Sequence, residues 1–451
     1  MKHILSKSTF MYGCQCPKRL FLHKFEPSFS NPDDEQQQAI FQFGTDTGEL
    51  AQELFPGGAN AQGDEEWHSY KTVAVTEKLL PVHSVIYEAA FIHEGVLCAV
   101  DILVRKGKKY YAYEVKSTNS VKPQHITDAA LQYHVLKNAG IDLEDFSIVH
   151  FNNEYTRIGT IDVQQLFTAD SVLEQILEQQ DFIEPKIAEL KLILTNKVMP
   201  EIEVGKQCEK PYPCNFTDFC FKDIIVEEEI EEEVDPTIHF EKEAINEFIE
   251  SVEYPIYYFD FETIQYGIPE FDYSNPYQQI PFQYSLHVQD AINAPLKHFE
   301  YLGDGVTDPR ERLIIQLINE IGTKGSVMVW NQTFEIGCLK KLAAQFPKYE
   351  TELLAIIERV VDLMVPFRKK HVNSDAFYGS YSIKNVLPVM VPELKYADLE
   401  IQEGGTASFT YGQLQNMFIE DQNIIRKQLL DYCHLDTLAM VKIWERMNTP
   451  K

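Results

Sequence analysis

Apolar residues over the first 222 positions repeat at two different spacings, and the spacing changes from one segment to the next. Spacings of three and four residues are typical of amphipathic helices, whereas alternating or short continuous apolar runs between turn residues are typical of strands. The predicted elements are helices over 16–25, 36–58, 126–140 and 171–194, and strands over 84–95, 96–107, 108–118 and 146–152. Short turns join the first three strands, which predicts a β-meander.

The apolar pattern from residue 251 onward begins with strands and continues with helices and strands in alternation. Such an order predicts a second α/β unit with its own sheet. Its predicted elements are strands over 256–264, 283–290, 296–302 and 326–331, and helices over 310–322, 333–346 and 423–447.

A strongly acidic stretch separates the two patterned regions. Seven of the nine residues from Glu227 to Asp235 are carboxylates. Such blocks repel themselves and stay solvated, so residues 223–250 are interpreted as a flexible linker between domains of residues 1–222 and 251–451. An acidic flap that mimics DNA is the alternative, and deleting the stretch would then increase DNA binding.

The composition fits two folded domains and limits the kind of partner. The chain has 451 residues, of which 44% are hydrophobic and 12% aromatic, enough to bury two cores. Its formal net charge of −29 argues against a protein that coats nucleic acid through clustered lysines and arginines. A nuclease is still compatible with this charge, because nuclease active sites are carboxylate clusters whose bound metal ions reverse the local sign.

The sequence predicts a cytoplasmic protein with no membrane partner. No apolar run reaches the ~20 residues that a membrane helix needs, and the N-terminal residues lack the apolar core of a secretory signal. In the cytosol, a cysteine cluster points to metal binding or catalysis rather than to disulfides.

One pair of predicted strands carries residues that suit metal-dependent phosphodiester hydrolysis. Asp101 lies on the first strand, and Glu114 and Lys116 share a face of the next. Two carboxylates can hold Mg²⁺, while the lysine orients or deprotonates a metal-bound water and stabilises charge on the attacked phosphate. Alternating charge on an exposed strand gives the same pattern, so the motif needs support from its surroundings.

Four of the eight cysteines have a spacing that indicates a bound metal centre. Cys208, Cys214 and Cys220 are separated by five residues each, and Cys16 precedes a proline near the N-terminus, with Cys14 as its rival. Four thiolates fit zinc or an iron–sulfur cluster, but the paired C-x₂₋₄-C spacing of structural zinc sites is absent. Four unrelated buried thiols are the alternative. The cysteines in apolar surroundings are interpreted as core thiols: Cys98, Cys338 and Cys433.

A third set of acidic residues lies on three separate predicted elements of the second domain. The carboxylates are Asp260, Glu262, Glu335 and Asp436. Together they can hold two metal ions about 3.5–4 Å apart, one activating water and the other stabilising the leaving oxygen. Tyr432 shares a helix face with the last of them and would position the nucleophilic water. Thr263 would contact the substrate backbone.

The D…E-x-K segment resembles the core of RecB-type PD-(D/E)XK nucleases, which implies a restriction-endonuclease-like fold. Glu88 stands where such members often carry another acidic residue, and Gln132 and Tyr133 match their Gln/Tyr helix, although the two residues are adjacent here. Members often place a histidine on an early helix, but residues 48–56 contain none.

The cysteine layout resembles that of the iron–sulfur members, which include the CRISPR spacer-acquisition nuclease and the AddB recombination subunit. This resemblance implies a 4Fe-4S cluster with the ligands Cys16, Cys208, Cys214 and Cys220. Such a cluster would clip together the two ends of the domain, since closing a loop of nearly 200 residues is otherwise entropically costly.

The second domain resembles the DEDD exonuclease superfamily, which implies an RNase H-like fold. The motifs D-x-E, N-x-x-F-D and Y-x-x-x-D are matched by Asp260 and Glu262, by Asn331 and Glu335, and by Tyr432 and Asp436. The tyrosine form of the third motif resembles the polymerase-proofreading branch. Glu335 replaces the usual aspartate, and its extra methylene shifts the carboxylate by about 1.5 Å. The whole arrangement resembles a bacterial family of uncharacterised nuclease fusions.

These resemblances imply an enzyme that uses Mg²⁺ or Mn²⁺ to hydrolyse phosphodiester bonds, with single-stranded DNA ends favoured. The DEDD site implies 3′→5′ exonuclease activity, and the RecB-like site 5′-directed or endonucleolytic cutting, which together suit DNA repair or defence against foreign DNA. No Walker motif is present, so unwinding would need a partner helicase. The alternatives are a nucleic-acid-binding or regulatory module with inactive sites and an RNA-processing exonuclease, since sugar type cannot be read from these motifs.

Overall fold

The computed structural model describes residues 4–32, 35–63, 65, 68–222 and 237–448. It divides into two compact units, one of Met1–Glu228 with Gly267–Tyr277 and one of Glu229–Tyr266 with Gln278–Lys451. Both units combine sheets with helices, so the predicted α/β class is confirmed. Over the described ranges, no helix has both the length and the apolar character needed to cross a membrane.

The first unit is built around a seven-stranded sheet. Its described strands are β1 (Leu5–Ser6), β2 (Ala59–Asn60), β3 (Val85–His93), β4 (Val96–Lys106), β5 (Lys109–Val115), β6 (Leu143–Phe151) and β7 (Phe167–Ser171). Its described helices are α1 (Lys7–Gln15), α2 (Pro17–Phe25), α3 (Glu35–Ala51), α4 (Tyr70–Leu79), α5 (Pro123–Asn138), α6 (Val163–Leu166), α7 (Leu173–Glu178), α8 (Gln180–Asn196) and α9 (Thr217–Phe221).

The sheet of the first unit has the order β2-β3-β4-β5-β6-β7, and β1 pairs with β4. Strands β3, β4 and β5 are antiparallel, as the predicted meander requires, and β6 returns parallel to β5 after α5. Ala112 of β5 joins the core that includes α5, whereas Tyr113 packs on the opposite face. Glu114 therefore faces α5, because side chains alternate along a strand.

Several elements of this unit differ from the sequence predictions. The helix predicted over 36–58 ends at Ala51, and the one predicted over 171–194 consists of the separate helices α7 and α8. Strand β7 was not predicted, because most of its residues are exposed and it lacks an alternating apolar pattern.

The second unit contains a five-stranded sheet and a separate two-stranded one. Its described strands are β8 (His239–Phe240), β9 (Ile256–Gln265), β10 (Gln279–Gln289), β11 (Leu296–Leu302), β12 (Ser326–Val329), β13 (Val360–Asp362) and β14 (Val372–Asn373). Its described helices are α10 (Lys242–Glu250), α11 (Arg310–Glu320), α12 (Gln332–Gln345), α13 (Glu350–Ile357), α14 (Val365–Arg368), α15 (Ile383–Met390), α16 (Gly404–Gln413) and α17 (Ile419–Asn448).

The five-stranded sheet has the order β11-β10-β9-β12-β13. Its first three strands are antiparallel, and β12 and β13 continue parallel to β9. Tyr257, Phe259 and Phe261 of β9 share a core with residues of α11 and α12. Asp260 and Glu262 therefore face the other side of the sheet, on which α17 packs.

Part of the predicted linker belongs to the folded second unit. The acidic stretch lies within residues 223–236, which are outside the described part of the chain. Residues 237–250, in contrast, contain β8 and α10: Phe240 pairs with Val372 of β14, and Ile245 is buried. The boundary predicted at residue 251 thus lies too far along the chain, because a two-residue strand leaves little signal in the sequence.

A segment between β9 and β10 belongs to the first unit, although the sequence assigned it to the second domain. In this segment, Gly267–Tyr277, the carbonyl of Pro269 accepts a 2.8 Å hydrogen bond from Arg157 Nη1. The Asp272 carboxylate accepts one of 2.7 Å from the backbone N–H of Gly159. These contacts join positions more than a hundred residues apart, which no local pattern predicts.

Candidate functional sites

Three carboxylates form a row across β3, β4 and β5. Asp101 adjoins Ile102, which pairs with Tyr113 of β5, and Asp101 Oδ2 accepts a 2.6 Å hydrogen bond from the backbone N–H of Val115. On the other side of β4, Glu88 lies on β3. The charges of Glu114 and Glu88 both raise the pKa of Asp101, so the three acidic side chains lie near one another.

The sequence predicted neither the backbone conformation of Glu88 nor the residue that its side chain contacts. Glu88 has a φ of 54°, in the left-handed region that costs a non-glycine residue about 1–3 kcal/mol. Its Oε2 atom lies 3.0 Å from His68 Nε2. Residues 48–56 contain no histidine, and His68, which lies beside the acidic row, belongs to the segment that precedes α4.

Glu114 is the centre of a polar network in the first unit. It is 1% exposed, and its Oε1 atom accepts hydrogen bonds of 2.7 Å from both Lys7 Nζ and Lys116 Nζ. Its Oε2 atom accepts a 2.9 Å hydrogen bond from Gln132 Nε2. The sequence identified Lys116 and Gln132 but missed Lys7, which β1 and the start of α1 bring to the site from the N-terminus.

Helix α5 contributes a fourth carboxylate that was missed. Asp128 Oδ2 lies 2.6 Å from Lys116 Nζ, one helical turn before Gln132. The i, i+4 spacing of these two α5 residues was the available signal. Gln132 Oε1 is buried and has no hydrogen-bond partner in the described part of the protein. Tyr133, the other helix residue named from the resemblance, lies in the hydrophobic core.

Two carboxylates of the row differ in their pKa values. Burial raises the pKa of Asp101 well above its usual value, and the neighbouring Glu114 charge raises it further. Burial acts in the same direction on Glu114, but Lys116 and Lys7 lower the pKa of Glu114 to about 2. Glu114 is therefore ionised at neutral pH, and a bound cation would lower the raised pKa of Asp101.

The four predicted cysteine ligands line one cavity of the first unit. Its walls include Cys16, Cys208, Cys214 and Cys220, together with the basic residues Lys18 and Arg19. Cys14 packs instead against the core, and burial raises its pKa to about 12. The two N-terminal cysteines, close in sequence, thus have different surroundings.

Polar contacts hold the N-terminal helices against the cysteine-rich segment. Gln15 Nε2 donates hydrogen bonds to the carbonyls of Gln207 at 2.8 Å and Tyr212 at 2.7 Å. Arg19 Nε donates to Asn215 Oδ1 at 3.1 Å. The cavity therefore connects segments nearly 200 residues apart.

In the second unit, three elements bring the four predicted carboxylates together. Asp260 and Glu262 lie on β9, Glu335 lies in the first turn of α12, and Asp436 lies on α17. A cavity of this unit is lined by Asp260, Trp330, Asn331, Phe334, Glu335, Ile383, Asp436 and Met440. Glu335 Oε2 is buried and, within the described residues, has no hydrogen-bond partner.

Three further side chains contact this acidic cluster and were not assigned to it from the sequence. The Tyr396 hydroxyl donates a 2.5 Å hydrogen bond to Asp436 Oδ1. Cys433, predicted as a core thiol, is buried, but its Sγ lies 3.9 Å from Asp260 Oδ2. Lys384 lies in the first turn of α15, with its Nζ 5.5 Å from the ring centre of Tyr432, and its charge lowers the pKa values of Glu262 and Asp436.

Tyr432 and Thr263 have different surroundings in the structure. Tyr432 is 4% exposed, and its ring centre lies 6.2 Å from that of Tyr396, next to the cluster. The Thr263 hydroxyl donates a hydrogen bond to Gln279 within the second unit. The proposed contact of Thr263 with substrate therefore competes with an existing partner.

The buried carboxylates of the second unit retain protons without a cation. Burial and then Asp436 raise the pKa of Glu262 to about 8, and burial raises the pKa of Glu335 to about 8. Burial also raises the pKa of Asp436 to about 7, against the lowering effect of Tyr396. The pKa of Asp260 is raised by burial and then by the charges of its carboxylate neighbours. Bound divalent cations would reverse these shifts.

We expect the metal-free second unit to lose stability as the pH rises from about 4.5 to about 8. The folded cluster binds protons more tightly than the unfolded chain, so its favourable contribution is complete at low pH and disappears as Glu262 and Glu335 ionise. Mn²⁺ should flatten this dependence. Thermal unfolding in EDTA, followed by the fluorescence of a Trp67→Phe variant, reports the second unit through Trp330 and Trp444.

Replacing Glu335 tests whether the raised pKa values of the cluster cause this pH dependence. The variant Glu335→Gln removes one of the raised pKa values and should reduce the slope between pH 5 and pH 8. A metal-free melting temperature that rises over that interval would contradict the protonated cluster.

Comparisons with known proteins place the chain among uncharacterised relatives. Residues 257–382 match the family model described as "Domain of unknown function (DUF2779)". An uncharacterized protein of Ureaplasma parvum is 28% identical over 217 residues, which cover 41% of this chain and 30% of the relative. Uncharacterized proteins of Mycoplasma pneumoniae and Mycoplasma genitalium are each 29% identical, over 41% of this chain and 31% of the relative.

The matched regions cover only part of the molecules compared. The chain spans less than a third of the length of these curated relatives. The family model includes Asp260, Glu262 and Glu335 of the second-unit cluster, but it ends before Tyr432 and Asp436. These matches therefore assign no chemistry to the sites.

Proposed function

We propose that this protein is a metal-dependent nuclease with two hydrolytic sites, one in each unit. The observation that carries the proposal is the buried cluster of Asp260, Glu262, Glu335 and Asp436, whose charges repel one another without cations. Such a cluster is costly to fold, and two divalent ions would offset that cost. Glu335 Oε2 has no hydrogen-bond partner among the described residues, which supports a ligand role for the glutamate that replaces the aspartate of the motif.

The sheet orders support the two fold assignments. In the second unit, three antiparallel strands followed by two parallel ones agree with an RNase H-like DEDD domain. In the first unit, the acidic row on β3, β4 and β5, followed by α5 and a parallel β6, agrees with a PD-(D/E)XK domain. Both assignments also rest on the sequence motifs.

In the second unit, Asp260, Glu262, Glu335 and Asp436 would hold Mg²⁺ or Mn²⁺. When bound, the two ions supply an activated water and neutralise charge on the leaving oxygen. Tyr432 lies next to the carboxylates and orients the attacking water through its hydroxyl. Tyr396 fixes the Asp436 carboxylate by its 2.5 Å hydrogen bond. The outcome is 3′→5′ removal of nucleotides.

In the first unit, Asp101 and Glu114 would hold the divalent ion, with Glu88 beside them. The ion supplies a polarised water and a positive charge at the scissile phosphate. Lys116 carries its proton at neutral pH, because Asp128 and Glu114 raise its pKa against the effect of burial. It therefore stabilises the charge that develops on the phosphate rather than accepting a proton from water.

The cysteine cavity suits a 4Fe-4S cluster held by Cys16, Cys208, Cys214 and Cys220. Lys18 and Arg19 line the same cavity, and their charges offset those of the thiolates. The cluster supplies a crosslink between the N-terminal helices and the end of the unit. This role is structural, and neither hydrolytic site requires electron transfer.

We propose single-stranded DNA ends as the substrate, in DNA repair or in defence against foreign DNA, with a helicase as a partner. Single strands suit narrow acidic sites, because a net charge of −29 disfavours broad contact with a duplex backbone. RNA is the second candidate substrate, since the DEDD resemblance includes enzymes that process RNA.

The decisive experiment compares the two sites on end-labelled single strands. Anaerobically purified protein, with Mg²⁺ or Mn²⁺, should shorten DNA from the 3′ end, and Asp260→Asn should abolish this activity. Lys116→Met should abolish the other cleavage and leave 3′ shortening unchanged. Lys109→Met is its control, because Lys109 is an exposed lysine at the start of β5 that pairs with Asp142, whereas Lys116 follows the end of that strand.

Two other outcomes would indicate a different function. Stronger shortening of RNA than of DNA would assign the protein to RNA processing. Binding of either nucleic acid that persists in EDTA, without cleavage under any metal, would refute the enzyme proposal and indicate a binding or regulatory module.

A further inference from the structure

Three histidines of the second unit meet outside the acidic cluster. They are His287 on β10, His298 on β11 and His434 on α17, and one ring nitrogen of each lies within 4.8 Å of the others. The ring centres of His287 and His298 are 4.5 Å apart, and those of His298 and His434 are also 4.5 Å apart. No motif in the sequence predicted this arrangement, because three distant elements contribute to it.

Two of the three rings each form a hydrogen bond through one ring nitrogen. His287 Nδ1 lies 2.8 Å from Thr437 Oγ1, and His298 Nε2 lies 3.0 Å from Ser285 Oγ. Metal-bound histidines usually make such a second hydrogen bond, which fixes the tautomer and the ring orientation. Nε2 of His287 and Nδ1 of His298 are thereby left as the ligand atoms.

An acidic residue completes the set of ligands. Glu300 lies two residues after His298 on β11, so both side chains share a face, and its Oε2 atom is 3.9 Å from His298 Nδ1. Three imidazoles with a carboxylate or water in the fourth position are a preferred ligand set of zinc.

We propose that His287, His298 and His434 bind one Zn²⁺ ion, with Glu300 or a water molecule as the fourth ligand. This site is separate from the acidic cluster and does not depend on nuclease activity. The ion links α17 to β10 and β11. Thr437, which follows Asp436 on α17, also lies 2.6 Å from Ser285, the β10 residue paired with Asp260. Zinc therefore fixes the position of Asp436 relative to Asp260.

The test measures zinc directly. Full-length protein, wild type and variants, is dialysed against buffered micromolar free Zn²⁺, and zinc per chain is determined by elemental analysis. His298→Gln and His434→Gln should each bind one zinc fewer than wild type, and zinc should raise the melting temperature of wild type more than that of either variant. Comparison within the same chain removes the contribution of the cysteines and carboxylates, which are identical in all samples.

His371→Gln is the matched control. His371 is also in the second unit, its side chain is 26% exposed against 25% for His298, and each has a glutamate oxygen at 3.9 Å. This variant should bind as much zinc as wild type. Replacing Zn²⁺ by Co²⁺ gives a second readout, since a visible absorption band lost only in the two cluster variants identifies imidazole ligation. Equal metal content in wild type, His298→Gln and His434→Gln would overturn the proposal and leave the three rings as core packing.

Discussion

Replacing Asp260 by asparagine is expected to lower the rate of metal-dependent 3′→5′ hydrolysis by at least ~10³-fold. The charges of Asp436, Glu262 and Glu335 all raise the pKa of Asp260, so Asp260 interacts with each of the other three carboxylates. Asparagine keeps the shape of the side chain but binds divalent ions weakly. Loss of one metal ligand removes several kcal/mol of charge stabilisation in the transition state, which corresponds to this change in rate.

The same substitution should stabilise the metal-free protein. Removing one negative charge relieves the repulsion within the cluster, so the melting temperature in EDTA should rise above that of wild type at pH 8. In Mn²⁺ the order should reverse, because the variant binds the ions less tightly. A variant that loses activity while gaining metal-free stability cannot have failed to fold.

Asp290→Asn is the control for this experiment. Asp290 follows β10 in the same unit, is 52% exposed and forms a surface ion pair with Lys297, which contributes little to stability. Both activity and melting temperature should remain close to wild type. Full activity in Asp260→Asn would show that hydrolysis does not occur at this cluster.

Replacing Cys16 by serine is expected to remove the iron–sulfur cluster, whereas the same change at Cys14 should leave it in place. Only Cys16 lines the cavity with the other three cysteines; Cys14 packs against the core. Iron content and the visible absorption of anaerobically purified protein measure the difference. The pair is well matched, because both residues are half-buried and only two positions apart.

The loss of the cluster should also destabilise the first unit strongly. Closing a loop of this length by a crosslink stabilises a protein by roughly 5 kcal/mol, so Cys16→Ser should unfold the unit at a much lower denaturant concentration than Cys14→Ser. If anaerobically purified wild type contains zinc and no iron, the four cysteines bind zinc rather than an iron–sulfur cluster. If metal is retained in Cys16→Ser but lost in Cys14→Ser, Cys14 rather than Cys16 is the ligand. A protein that contains neither iron nor zinc would contradict the proposed metal centre.

The carboxylate motifs could be read from the sequence because each depends on local geometry. Period-two alternation places Glu114 with Lys116, and Asp260 with Glu262, on single faces of strands. Helical spacing likewise joins Tyr432 to Asp436. The α/β class and the β3–β4–β5 meander follow from equally local patterns, since short turns leave adjacent strands few alternatives to pairing.

The partners of these motifs required the tertiary structure. Lys7 reaches Glu114 across 107 residues, and Tyr396 reaches Asp436 across 40, so neither contact leaves a periodic trace in the sequence. His68 likewise reaches Glu88 from 20 residues earlier in the chain. Long-range contacts likewise decided that residues 237–250 fold into the second unit and Gly267–Tyr277 into the first.

The sequence by itself thus determined which residues carry charge on a common face, because backbone periodicity fixes side-chain direction within an element. Only the tertiary structure decided which elements meet, since that depends on the packing of whole faces and on contacts between distant segments. The three-histidine cluster shows the difference most clearly. Its members are unremarkable in the sequence and become a candidate metal site only when β10, β11 and α17 pack together.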